Sequence, residues 1–233
     1  MIQSRRARTL VLTHLTTNDL RIIHYHRGNF YWYANGLYRA AEEGEARRAV
    51  WEFLDGAVKI DKGHEAPFQP NLSSVSNVTD ALSAVCQVGG LELPAWLPNA
   101  QAHGADLPPH EFLVVANGLL HVPSGKLYPH TPAFFSLNAA EMEFDPHAVA
   151  PTWLGFLEEV FEKDHASRDT IQEWFGYCLT PDTSLQKAMF LVGPPRGGKG
   201  IISRTLRSLI GPRNGSGDTN TGANRLKRVL NLH

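Results

Sequence analysis

The chain has 233 residues, of which 42% are hydrophobic and 19% charged, with a formal net charge of −1. This leaves room for one large domain or two small ones with a real apolar core, and it argues against wholesale disorder, since charged residues fall below the roughly 25% of an average soluble protein. The charge is uneven: from Gly193 onward eight Lys/Arg face the single acid Asp218, which leaves −8 on residues 1–192 and suits a phosphate-rich partner at the basic end.

The N-terminal stretch MIQSRRARTLVLTHL is interrupted by Thr13, His14 and Thr16 and carries no small-residue cleavage site, so it is not read as a signal peptide. Arg5, Arg6 and Arg8 read as a solvated terminus. Residues 21–40 alternate bulky and polar side chains around Arg27-Gly28-Asn29 and Asn35-Gly36, which predicts a small β-meander. His24 and His26 share a face of its first strand without a third ligand and read as core or surface histidines. Phe30, Tyr31, Trp32, Tyr33 and Tyr38 read as core more readily than as a base-stacking platform. Ala46, Val50, Phe53, Leu54 and Val58 recur at helical spacing and predict a helix over 43–59. A polar, proline-bearing connector follows, then a second helix over about 75–88 through Val75, Val78, Leu82, Val85 and Cys86.

Residues 89–110 are dense in proline and glycine and read as loop. Short strands are expected at Phe112 to Val115, at Leu119 to Val122 across an Asn117-Gly118 turn, and at Leu127-Tyr128. Helices are expected over about 152–163, with Glu158, Glu159 and Glu162 on its solvated side, and over about 168–179. Cys86 and Cys178 belong to no C-x-x-C pair and read as buried free thiols. No apolar run approaches the roughly 20 residues of a membrane helix, so no membrane partner is expected.

The most specific signal is the segment 187–210, KAMFLVGPPRGGKGIISRTLRSLI. Residues 188–192 are an apolar run predicted to be a buried strand, and Ile202, Leu206, Leu209 and Ile210 predict a helix. Between them Gly193-Pro194-Pro195-Arg196-Gly197-Gly198-Lys199 fits G-x-x-x-x-G-K, the phosphate-binding loop, whose motif demands those flanks. Glycines let backbone N–H groups turn inward on phosphate, the helix start adds unpaired N–H groups, and the lysine places a point charge on the β/γ oxygens. The expected nucleotide contacts are Gly193, Pro194, Pro195, Arg196, Gly197, Gly198, Lys199, Gly200 and Ile201, with ATP as ligand. Where such loops place a Ser or Thr for Mg²⁺, this chain has Gly200 followed by Ile201, and the nearest hydroxyl is on Ser203. No catalytic residue and no metal ligand is assigned.

Three segments in succession, VVANGLLHVPSGKLYPHTP, MEFDPHAVAPTWLGFLEEVF and IQEWFGYCLTPDTSLQKAMFLVGPPRGGKG, resemble the poxvirus-type primase-helicase N-terminal domain leading into the superfamily 3 helicase core of phage and plasmid primases. The resemblance covers about the last half of the chain and extends loosely to residues 20–88. It implies an α+β N-terminal module over 1–186 followed at 187–233 by the first strand, loop and helix of an incomplete α/β, AAA+-like core. It also implies ATP and Mg²⁺ as ligands, DNA as a partner, a homo-oligomeric ring formed with intact relatives, and a place in the bacterial host cytoplasm.

Hydrolysis in such enzymes needs a further acidic strand end and an arginine from a neighbouring subunit. Residues 211–233, GPRNGSGDTNTGANRLKRVLNLH, read as neither, so a truncated core is expected, with 187–233 poorly packed unless another chain completes it. Two alternatives stay open: a non-catalytic interaction or oligomerisation module derived from such a helicase, and a P-loop small-molecule kinase.

Overall fold

The chain opens with a helix, α1 (Ile2–His14), which buries Ala7, Leu10 and Val11 at helical spacing and leaves Arg5 and Arg8 exposed. This computed structural model describes residues 2–210 apart from 43, 62, 99–100, 141 and 181–184. After the short pair β1 (Thr16–Thr17) and β2 (Leu20–Arg21) comes the expected meander: β3 (Ile23–His26), β4 (Asn29–Ala34) and β5 (Leu37–Ala40). Its two turns put Arg27 and Gly28 at φ 47° and 87°, and Asn35 and Gly36 at φ 51° and 82°. Consecutive left-handed residues match the twist of the strands they join and fix the register, Tyr25 opposite Phe30 and Tyr33 opposite Tyr38.

The next helix, α2 (Glu45–Asp55), ends earlier than its apolar spacing predicts. Gly56 caps it, a residue that favours leaving the helix. Val58 therefore belongs not to a helix but to β6 (Val58–Asp61), which pairs with β7 (His64–Pro67) in a hairpin where a polar connector was expected. Then α3 (Leu72–Cys86) starts at a capping box: the Asn71 side chain accepts from the Ser74 N–H, and the Ser74 hydroxyl accepts from the Asn71 N–H, both at 2.9 Å. Among the described residues of 89–110 the chain is irregular except for β8 (Ala95–Trp96) and the start of a short 3₁₀ turn. β9 (Phe112–Val115), β10 (Gly118–His121) and β11 (Lys126–Tyr128) form an antiparallel sheet close to the expected positions. β12 (Phe134–Phe135) pairs back with β8. Three helices follow: α4 (Pro151–Phe161), α5 (His165–Leu179) and α6 (Lys199–Ile210).

The folded chain groups into two compact units, Met1–Ala100 with Thr131–Leu137, and Gln101–His130 with Asn138–His233. In the first, α1, α2 and α3 pack Leu10, Val50, Leu54, Val75, Val78 and Leu82 around Ile23. Each such side chain contributes about 1.5–3 kcal/mol relative to exposure. A second core in this unit gathers Tyr38, Val88 and Phe135. In the second unit α4, α5 and α6 share a core of Leu157, Ile171, Phe175, Ile202 and Leu206. Trp153 stacks on Phe156 and Phe175 at 5.5 and 5.3 Å. Asp164 caps α5 by accepting from the Ser167 N–H at 3.0 Å. The fold is thus mixed α+β, with small antiparallel sheets and six helices among the described residues.

Two expectations for the C-terminal segment need correction. Residues 188–192 form no strand: Phe190 is 68% and Val192 93% exposed. A parallel strand takes its hydrogen bonds and its burial from neighbours, and among the described residues no strand pairs with this run. Conversely, α6 is not poorly packed, because Ile202 and Leu206 are buried against α4 and α5. The expected irregular tail from 211 lies outside the described residues.

Candidate functional site

The G-x-x-x-x-G-K segment is an exposed loop that runs directly into α6, so one of the two flanks its motif requires, the helix, is present. Its backbone follows from its glycines. Gly197 donates its N–H to the Pro194 carbonyl at 3.2 Å, which tightens the loop into a turn. Arg196 and Gly198 both take left-handed conformations, φ 65° and 79°. At Gly198 a β-carbon would stand 2.9 Å from both Phe156 Cζ and Val160 Cγ2, so only glycine fits between α6 and α4. Gly193 faces open space, with nothing within 4 Å of an added β-carbon. Pro194 and Pro195 are exposed.

Lys199 is the first residue of α6. Its ammonium donates to the carbonyls of Gly193 and Pro194, both at 2.8 Å, and so closes the loop on itself. Ile201 and Ile202 return their N–H groups to the Gly198 carbonyl. Among the described residues no acceptor takes the N–H groups of Gly198, Lys199 or Gly200, and the first turn of α6 carries no acidic residue. Unpaired amides at a helix start, the positive end of its dipole and a neighbouring ammonium make a site for an oxyanion. The loop residues expected from sequence stand at the start of α6, with these donors on the loop side of the helix. For magnesium, Gly200 and Ile201 offer no side-chain oxygen, and Ser203 is half-buried one turn further on.

One residue beside the loop was not legible in the motif. The Arg204 guanidinium lies over Gly200, with Nη1 3.2 Å and Cζ 3.9 Å from where a β-carbon would stand. A helical side chain leans toward the N-terminus of its helix, which brings position i+4 over position i. The four-residue spacing is therefore the sequence signal that could have found it.

The other candidates resolve into structure. His24 and His26 are buried, 5% and 3% exposed, among Tyr31, Tyr38 and Phe135. Burial, and after it the charge of Arg21, lowers the His24 pKa to about 4. Tyr38 is 1% exposed and donates its hydroxyl to the Pro132 carbonyl at 2.6 Å. Burial pushes Tyr33 up to about 12. Arg6 stacks on the Phe68 ring at 4.7 Å. Glu158, Glu159 and Glu162 are exposed, and Glu158 lies 3.8 Å from Arg168. A cleft of about 520 Å³ in the first unit, with Arg8, Leu12, Arg21 and Val85 in its lining, includes no loop residue. Among the described residues no three His, Cys, Asp or Glu side chains converge to hold a metal ion, and no helix is long and apolar enough to cross a membrane.

Comparison with known proteins adds one finding. A family model described as D5 N terminal like matches residues 10–162. No curated protein matches the chain.

Proposed function

The chain belongs to the D5 N-terminal-like family, the N-terminal domain of D5-like primase-helicases, and from that premise we propose that it binds ATP through the loop at 193–201 in support of DNA replication. The matched segment is the N-terminal region of a primase-helicase-like replication protein. The loop lies beyond it and is read from its own residues. The observation that carries the reading is the donor set at the start of α6: free amides at Gly198, Lys199 and Gly200, with the Lys199 ammonium held across the loop mouth. Phosphate takes over the ammonium from the two carbonyls, and the loop opens around it. DNA is the proposed polymeric partner and a homo-oligomeric ring the proposed assembly, in which ATP drives unwinding. The exposed side chains of Phe190 and Val192 favour a second reading in which the chain docks onto other copies of such a helicase as a non-catalytic module.

Equilibrium binding of ATP to the 233-residue chain and to its Lys199→Ala variant tests the nucleotide reading. A charge-assisted hydrogen bond contributes about 1.5–3 kcal/mol, so the variant is expected to bind roughly 10- to 150-fold more weakly. Equal affinity, or no binding by the parent, overturns it. If the parent binds no ATP but associates with a full-length relative, the docking reading takes its place.

A further inference from the structure

We infer that Arg204, and not a magnesium ion, balances the phosphate charge at the start of α6, so that this loop holds a nucleoside triphosphate without a divalent cation. The inference rests on the nucleotide reading of the loop and deepens it.

A metal bridging phosphate oxygens at such a loop takes a hydroxyl from the first turn of the helix. Here that turn presents Gly200 and Ile201, and neither has a ligating atom. The space a side chain at 200 would enter is not open. The Arg204 guanidinium lies across it, with Nη1 3.2 Å and Cζ 3.9 Å from the β-carbon position. A guanidinium stays charged at every accessible pH and presents paired N–H donors that match two phosphate oxygens. A divalent cation brought to the same place would meet that charge at close range and be repelled. Among the described residues no carboxylate pairs with Arg204, and none lies in the first turn of α6, so its charge is available to the ligand. The absence of a side chain at 200 is what lets the guanidinium reach so far toward the helix start. The glycine and the arginine thus form one device.

The test is ATP binding by calorimetry to the whole chain, in excess Mg²⁺ and in EDTA, for the parent, Arg204→Ala and Arg207→Ala. Arg207 is an exposed arginine of the last turn of α6 and serves as the charge control. The parent is expected to bind equally in both media, within about twofold, and Arg204→Ala to bind about tenfold more weakly in EDTA, with Arg207→Ala unchanged. Binding by the parent only in Mg²⁺ overturns this inference and leaves the nucleotide reading standing. Equal losses at 204 and 207 overturn it as well, because they show a diffuse charge effect. No ATP binding by the parent in either medium overturns both. Amide circular dichroism of the variants confirms that a loss is not unfolding.

Discussion

Gly198 is the residue on which the loop geometry turns, and replacing it by alanine gives a sharp test. The substitution meets two independent obstacles. At φ 79° an L-residue costs about 1–2 kcal/mol relative to glycine. The new methyl would also stand 2.9 Å from Phe156 Cζ and from Val160 Cγ2, inside contact distance of a stiff ring and a β-branched side chain. Overpacking of that kind costs about 1–3 kcal/mol. Together the two predict a loss of about 2–5 kcal/mol, located where α6 meets α4. Gly193→Ala is the matched control, since nothing lies within 4 Å of its added methyl. Native-state amide exchange reads the local opening free energy directly, and the amides of α6 around Leu206 report it. In Gly198→Ala their protection should fall by about 30-fold to several thousand-fold, while Gly193→Ala stays within about threefold of the parent. Equal protection in both variants would refute the claim that α4 fixes the loop.

Two further outcomes follow from buried titratable groups. His24 has its pKa lowered to about 4 from 6.5, so the unfolded chain takes up the proton first as pH falls. The stability from its neutral buried state is complete above pH 6.5 and is lost on acidification toward 4; between pH 7 and pH 5 this amounts to about 2 kcal/mol. His24→Phe, at a site already lined by Tyr38 and Phe135, should remove that part of the pH dependence in urea unfolding, and an unchanged slope would rule His24 out as its source. Burial raises the thiols of Cys86 and Cys178 to about 11, so alkylation of the native chain at pH 8 should be slow at both and become rapid in denaturant. Rapid native labelling of either would show that its surroundings open.

How far the sequence announced this architecture depends on where each signal comes from. The meander was legible because Arg27-Gly28 and Asn35-Gly36 demand left-handed turns, a property of the dipeptides themselves. The helices α4 and α5 were legible because their apolar spacing matches the faces they bury. α1 was missed: its buried positions, Ala7, Leu10 and Val11, are few and stand beside three arginines that read as a solvated terminus. The β6–β7 hairpin was missed because Val58 continues the apolar spacing of α2 and was read as helix, while His64–Pro67 is polar and nearly all of the hairpin is exposed. The run at 188–192 misled for the opposite reason. Apolar content shows that a strand could be buried, but burial needs neighbours that composition does not name. At the site, the glycines and Lys199 are visible in the motif, whereas Arg204 acts from the next turn of the helix, outside the motif's span.

What holds the loop here differs from what its motif suggests. A phosphate loop is ordinarily read as a strand-to-helix turn, with the strand fixed in a sheet and the loop fixed by the strand. In this chain the segment before the loop pairs with no described strand; Met189 and Leu191 lean on the helical core while Phe190 and Val192 stay exposed. Further restraint comes from the other side. Ile202 and Leu206 anchor α6 in the core with Leu157, Ile171 and Phe175, and Phe156 and Val160 occupy the space that a β-carbon at Gly198 would need. Phe156, Leu157 and Val160 belong to α4, which closes the family-matched region at residue 162. The family domain and the loop beyond it therefore share one core, and a change in α4 must move the start of α6. Coupling between α4 and α6 runs through packed side chains that cannot yield without opening a void, which makes α4 the element that positions the loop at 193–201.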